Sequence, residues 1–254
     1  MGRETGVNSG SSAGTGKVGL AWPNGNDPAL ANFKTNNVSP VYTYTPFLPS
    51  QAKSLGFDPI PMLWGTTQFA DFQRLVVKGY ATTVLGFNEP NEAGQADMSP
   101  QTAAMYWKQY IDPLKDQGYS LISPACSSAP SGKTWMMDFF AACSGCHFDG
   151  LAVHWYGTSS QSFINYLIDF HDTFNLPIWP TEFACQNFSG GGQCTEGQSS
   201  DFMTTVKDFM DGTSWVPHYF AFGLFHISDD ETAPVWHLMD ADGQPSELGL
   251  LYIN

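Results

Sequence analysis

The sequence has little positive charge. Ten of its 254 residues are Lys or Arg against 24 Asp or Glu, a formal net charge of −14. Binding to nucleic acid or to an anionic membrane surface draws on a basic footprint, so no nucleic-acid or membrane partner is expected. Charged residues of both signs make up only 13%, which leaves few cations to neutralise a carboxylate taken out of water. No run of 18 apolar residues occurs, so no membrane span is expected. The first β-rich segment, Lys17-Val18-Gly19-Leu20-Ala21-Trp22-Pro23, carries neither the G-x-G-x-x-G turn of dinucleotide sites nor a P-loop. No Gly-x-Ser-x-Gly elbow joins a strand to a helix, as an esterase serine would need.

Cysteines are few, at 126, 143, 146, 185 and 194. Cys143-Ser144-Gly145-Cys146-His147 has the spacing of covalent haem attachment, but no second ligand accompanies it, and a loop pair or local disulfide is expected instead. No further Cys/His pair completes a zinc site, so neither metal nor cofactor is expected. Cys185 and Cys194 bracket a Gly-rich loop and are candidates to bridge, which leaves Cys126 as the odd thiol. Such a bridge suits an oxidising compartment. With the sequons Asn187-Phe188-Ser189 and Asn37-Val38-Ser39, the latter followed by Pro40, it points to a secreted, extracellular or cell-wall protein. Residues 1–16 are Gly/Ser-rich without an apolar h-region and read as a flexible tail or cloning scar outside the fold.

Aromatics are plentiful: 8 Trp, 10 Tyr and 19 Phe. With few lysines, such side chains suit contact with neutral carbohydrate as well as a large core. Apolar β-rich runs at 17–22, 39–44, 59–64, 82–88, 119–125, 149–155, 177–182 and 217–226 alternate with helical patterns. Strong helical stripes occupy 100–116 (Trp107, Ile111, Leu114, after Ser99 and Pro100), 161–174 (Phe163, Tyr166, Leu167, Phe170, Phe174) and 200–211 (Phe202, Val206, Phe209, Met210). Weaker, Pro-interrupted helices are expected near 28–35 and 47–55, and a brief one near 246–252. Eight βα units over residues 17–254 predict one compact α/β domain, a (β/α)₈ TIM barrel with short first and second helices. A doubly wound open sheet is the alternative.

Two of the runs end in glutamate: Leu85-Gly86-Phe87-Asn88-Glu89-Pro90-Asn91 and Pro177-Ile178-Trp179-Pro180-Thr181-Glu182-Phe183. A carboxylate at the end of a buried strand is costly unless hydrogen-bonded, paired or used. At the ends of the fourth and seventh strands the two would face each other across a barrel mouth, as the acid and nucleophile of a retaining glycosidase do. Asn88 is placed to hold a sugar hydroxyl. In Val153-His154-Trp155-Tyr156-Gly157, alternation puts His154 and Tyr156 on one face, in reach of Glu182. Trp22, Tyr44 and Trp64 end the first three strands and would ring the mouth as sugar platforms, with His226 similarly placed at the eighth. Glu92 is expected to face solvent, Asp149 to be structural, and Asp229-Asp230-Glu231 to touch substrate or be solvated.

Four segments narrow the reading: Gly19-Leu20-Ala21-Trp22-Pro23-Asn24, Gly86-Phe87-Asn88-Glu89-Pro90-Asn91, His154-Trp155-Tyr156 and Trp179-Pro180-Thr181-Glu182-Phe183, in this order. Together with Leu248-Gly249 near the end, they resemble glycoside hydrolase family 128, above all its fungal branch. The resemblance implies a monomeric, cofactor-free β-1,3-glucanase, endo-acting, with Glu89 as acid/base, Glu182 as nucleophile and a β-1,3-glucan chain as partner. A glycosidase of the same clan acting on β-1,4-glucan or mannan, and a non-catalytic cell-wall glycan-binding protein, are the alternatives.

Overall fold

The computed structural model describes residues 16–227 and 234–254. Residues 1–15 and the acidic group Asp229, Asp230 and Glu231 lie outside the described residues. Among the described residues, eight short strands follow one another: β1 Val18–Ala21, β2 Val38–Tyr42, β3 Asp58–Ile60, β4 Thr83–Leu85, β5 Ser120–Ile122, β6 Leu151–Gly157, β7 Ile178–Cys185 and β8 Tyr219–Ala221. All strand pairings are parallel. One ladder runs β3-β2-β1-β8-β7-β6 and a second joins β4 to β5. Isolated parallel bridges span the two remaining gaps, Met62 to Leu85 between β3 and β4, and Ile122 to Gly150 and Cys126 to Val153 between β5 and β6. Each strand thus neighbours the next around the whole circuit, and β8 returns to β1.

Two separate apolar cores show why the chain folds this way. The lumen is filled by Ala21, Tyr42, Ile60, Met62, Leu85, Ile122, Ala125, Ala152, Trp179 and Phe220, drawn from every strand or its immediate continuation. The larger core lies outside the ring, between strands and helices, and carries Leu20, Val41, Val84, Leu121, Val153 and Phe183. Strands covered on both faces need apolar residues at successive positions, which is why these read as continuous apolar runs.

The helices are α1 Phe69–Leu75, α2 Pro100–Tyr106, α3 Pro130–Ala142, α4 Ser160–Phe174, α5 Glu196–Gly212 and α6 Glu247–Ile253. α4 starts at Ser159, whose side chain accepts from Ser162 N, and buries Phe163, Leu167 and Phe170. α5 starts in a capping box between Thr195 and Gln198. The 100–116 stripe is helical throughout but changes winding, from α2 to a π turn at Trp107–Ile111 and a 3₁₀ turn at Asp112–Gln117. Pro113 has no N–H for the ladder, which favours such a change.

The first connection, Pro28–Phe33, is a 3₁₀ helix, whereas 47–55 is not helical: it holds a series of turns, because Pro46 and Pro49 interrupt its ladder. Two helices lie where the sequence pattern marks none. α1 buries only Phe72, and the stripe of α3 (Trp135, Met136, Phe139) is blurred by Met137, which is 52% exposed. Cys143 pairs with Cys146 (Cα–Cα 5.5 Å) and Cys185 with Cys194 (6.0 Å), while Cys126 is free and buried.

Candidate active site

β4 leaves its ladder after Leu85 but stays clamped between its neighbours. Asn88 N donates to Trp64 O (3.0 Å), and Glu89 N to Ala125 O (2.8 Å). Glu89 itself has φ +41°, a left-handed conformation costing on the order of 1–3 kcal/mol in a non-glycine residue. Three neighbouring backbone bonds hold it there, including Ala96 N to Asn88 O at 3.0 Å. The arm passes so close to β5 that a Cβ on Gly86 would lie 2.8 Å from Pro124 N and 2.9 Å from the Trp107 ring. Gly86→Ala is therefore expected to destabilise the protein by about 1–3 kcal/mol through overpacking, read as a lowered melting temperature together with reduced activity.

Glu182 owes its direction to an irregularity. Opposite β6, Val153 pairs with Pro180 but His154 pairs with Glu182, so Thr181 is an extra residue in β7. Pro180 has no N–H to give the ladder, which makes a bulge there inexpensive. Trp179 points into the lumen, and strict alternation would send Phe183 there as well. Instead Phe183 joins the outer core, and Glu182 turns inward.

The two carboxylates meet at the mouth around His154. His154 Nδ1 lies 2.9 Å from Glu89 Oε1 and 3.4 Å from Glu182 Oε2. Nearest ligand atoms of Glu89, His154 and Glu182 all fall within 4.8 Å of one another. Tyr156 donates its hydroxyl hydrogen bond to Glu182 Oε2. Alternation thus places His154 and Tyr156 inward together, but the closer carboxylate partner of His154 is Glu89. Burial pushes the Glu182 carboxyl above the usual carboxylate range, opposed by the charge of His154 and the Tyr156 hydrogen bond. Burial alone would lower the His154 imidazole; the two carboxylates more than reverse this and raise it. This trio is the one group among the described residues with the reach to ligate a cation.

Asn88 is buried, its Nδ2 held by Gln95 Oε1 (3.0 Å) and its Oδ1 without a partner. Tyr44 (φ +61°) and Trp64 lie half-buried on the top of the lumen core. The Tyr44 hydroxyl faces Tyr42 and Glu182 but meets neither in good hydrogen-bond geometry. Trp22 does not ring the mouth. It is fully buried in the outer core against Phe33, because it follows Ala21, which takes the lumen-facing position. His226 binds Asp27 Oδ2 (2.7 Å) on the surface. Asp149 accepts from Leu121 N (2.8 Å), a structural role. Glu92 is not simply solvated: its Oε1 accepts from Ser127 Oγ (2.5 Å) and Asn91 Nδ2 (2.9 Å), tying the loop after Glu89 to the one after β5.

A cleft of about 880 Å³ opens beside Glu89, lined among others by Glu92, Ser127, Tyr156, Tyr166 and Phe188. Composition marks neither Tyr166, which reads as helix core, nor Phe188, whose only signal is its place in a loop bracketed by cysteines. A smaller cavity of about 280 Å³, bounded by Glu196, His237, Asp240 and Glu247, includes neither carboxylate of the trio.

The sequence model of the glycosyl hydrolase catalytic core family matches residues 19–252. The crystal structure of a subgroup III curdlan-specific exo-β-1,3-glucanase of glycoside hydrolase family 128, from Blastomyces gilchristii in complex with glucose, is 30% identical with a TM-score of 0.75, over 96% of this chain and 100% of that one. The chain belongs to the glycosyl hydrolase catalytic core family, and within it to glycoside hydrolase family 128. Another solved member of family 128, a subgroup IV endo-β-1,3-glucanase from Lentinula edodes, is 29% identical with a TM-score of 0.76, over 94% and 99% of the two chains. A third, a subgroup VII oligosaccharide-binding protein from Trichoderma gamsii, is 26% identical with a TM-score of 0.78, over 94% and 93%. Alkali-sensitive linkage protein 1 of Schizosaccharomyces pombe is 33% identical over 250 residues, which cover 94% of this chain. The family 128 chain spans 45% of the length of that relative.

Proposed function

We propose that this family 128 protein is a retaining, endo-acting β-1,3-glucanase that works by double displacement, Glu89 serving as acid/base and Glu182 as nucleophile. The observation that carries this reading is the approach of the two carboxylates to within 4.8 Å through their nearest atoms. Retaining glycosidases hold their carboxyls about 5–5.5 Å apart, and inverting ones about 6.5–9.5 Å, to admit a water. Glu89 Oε1 already accepts from His154, so the proton delivered to the glycosidic oxygen is carried on Oε2. Glu182 receives the Tyr156 hydroxyl on Oε2, which supports its ionised form and leaves Oε1 to attack the anomeric carbon. The unpartnered Oδ1 of Asn88 is an acceptor for a hydroxyl of the sugar under attack. Water activated by Glu89 then releases the glycosyl-enzyme.

The β-1,3 linkage rests on the relatives, among which both endo- and exo-β-1,3-glucanases occur. An open cleft on the acid side favours internal cleavage. Tyr44 and Trp64 are the proposed platforms for the sugar at the mouth. Two disulfides support a secreted protein of the extracellular space or cell wall. Laminarin, linear β-1,4-glucan and mannan offered in parallel test the substrate: reducing ends from laminarin, with a mixture of oligosaccharides formed early and the β-anomer formed first by NMR, are the expected result. Glucan binding without new reducing ends would instead favour a non-catalytic role, which the oligosaccharide-binding relative makes the relevant second reading.

Tyr156→Phe probes the electrostatics. A lost donor disfavours the Glu182 carboxylate, and its pKa, already raised, rises further. The acidic limb of the kcat/KM profile is then expected to move to higher pH by roughly one unit, since a hydrogen bond to a charged group contributes about 1.5–3 kcal/mol. An unmoved limb would contradict the nucleophile assignment.

A further inference from the structure

We infer that Asn187 is an N-glycosylation site whose glycan leaves from the rim of the catalytic cleft and away from it, and that Asn37, with the same Asn-x-Ser signature, is not one. This rests on the secreted location proposed above, since the signature is an acceptor in secreted proteins. In the transfer, Asn187 Nδ2 bonds to the anomeric carbon of a diphosphate-linked oligosaccharide. The bond from that carbon to the diphosphate oxygen breaks, the diphosphate leaves with the electron pair, and one amide proton goes to a base of the transferring enzyme. The amide therefore has to be within reach, and has to give up one hydrogen without loss to the fold.

Asn187 meets both needs. It lies in the loop closed by the Cys185–Cys194 disulfide, and every residue from Phe188 to Gln193 beyond it is exposed. Its Nδ2 reaches Gly190 O and Gly192 O only at 3.5 Å, so a sugar on this nitrogen displaces no good hydrogen bond. A Cβ on Gly191 would stand 3.2 Å from the same nitrogen, and one on Gly190 or Gly192 would meet nothing within 4 Å. Three consecutive glycines thus leave open the space into which the first sugar extends. Asn187 Oδ1 accepts from Ser189 N (2.9 Å), which turns the signature back on itself and brings its serine toward the amide. The loop keeps its shape by other means: Asn187 N donates to Gln193 Oε1 (2.9 Å), and Gln193 Nε2 donates to Asn187 O (2.7 Å).

Asn37 meets neither. Its Nδ2 donates to Asn254 O at 2.6 Å, and Val38 and Ser39 of its signature are buried in β2, with Val38 paired to Val18. Pro40 follows at once and biases Ser39 toward extended backbone, before folding as well as after, which opposes the turn that Asn187 makes. No proline lies between Cys185 and Cys194. The direction of the glycan follows from what lines the cleft. Phe188 and Ser189 do, whereas Asn187 and the three glycines do not. An oligosaccharide that leaves Nδ2 over the glycines keeps the Glu89 side open to substrate.

The test is peptide mass spectrometry on the full chain, secreted from a yeast host behind a leader and freed of N-glycans by an amidase in heavy-oxygen water. The amidase turns a glycosylated asparagine into labelled aspartate, and the label is expected at position 187 and not at 37. Asn187→Gln and Ser189→Ala are expected to abolish the glycan, Ser189→Thr to keep it, and Asn37→Gln to leave the mass of the glycan unchanged. Loss in Ser189→Ala with retention in Ser189→Thr separates acceptor chemistry from a disturbed loop. An unlabelled position 187 in the secreted protein, or a label at position 37, overturns the inference. Because the leader fixes the compartment, that failure counts against the acceptor and not against the secreted location. Removing the glycan from the folded enzyme is expected to change kcat/KM on laminarin by less than about twofold, since a group that meets neither substrate nor transition state leaves the barrier alone. A larger change overturns the direction assigned to the glycan. A wild-type protein that cleaves no glycan would sink the glycosidase reading alone, and affinity for laminarihexaose then takes the place of kcat/KM in the same comparison.

Discussion

Glu182→Ala is expected to lower kcat on laminarin by on the order of 10⁴-fold or more, because without the nucleophile no glycosyl-enzyme forms. The melting temperature should not fall, since the variant removes a buried carboxylate whose ionisation burial opposes. The diagnostic is chemical rescue. Azide entering the space left by the carboxylate attacks an activated aryl donor once, from the nucleophile side, and gives the α-glycosyl azide. Formation of the β-azide, or retention of wild-type activity, would remove Glu182 from the role.

Glu89→Ala has an effect that depends on the leaving group. On laminarin, whose departing hydroxyl needs a proton, kcat/KM is expected to fall by about 10²–10⁴-fold. On a dinitrophenyl glycoside, whose leaving group departs as a stable anion, glycosylation should be nearly spared, and the glycosyl-enzyme should accumulate because deglycosylation loses its base. Azide then restores turnover and yields the β-azide. The opposite products from the two variants distinguish the carboxylates more sharply than either rate. His154 would turn next toward Glu182, its remaining charged neighbour at 3.4 Å.

The barrel was legible because its strands are covered on both faces: Val18–Ala21 or Leu151–Trp155 can hardly be read otherwise. Most of the observed ladders are shorter than the apolar runs, as where β4 stops at Leu85 while the extended arm continues to Glu89, whereas β7 runs beyond its apolar stretch to Cys185. Helices with one clean stripe, such as α4, were visible. α1 and α3 were not, because α1 buries only Phe72 and the exposed Met137 breaks up the buried stripe of α3. At the site, the placement of Glu89 on the extension of β4 and of Glu182 in β7 follows from the pattern, although β7 does not end at Glu182 but continues to Cys185, and so does the shared face of His154 and Tyr156. The mistaken placement of Trp22 came from counting a strand end as a mouth position without the parity fixed by Ala21. Parity in a strand with a bulge depends on pairing with a neighbour, which a single sequence does not carry. Phe188 and Tyr166 were hidden for another reason: a cleft wall is assembled from a loop and a helix face that are silent when read apart.

The unpaired Thr181 gives the barrel a kind of molecular odd-and-even rule. Drawing that residue into the ladder as an ordinary paired position would turn everything beyond it by half a turn, carrying Glu182 to the helix layer and Phe183 to the lumen, whereas deleting it would leave Glu182 opposite His154. The staves of the barrel would remain, along with the rings proposed to face a sugar. In this architecture, then, the inward direction of one carboxylate hangs on whether a single residue of β7 is bulged or paired.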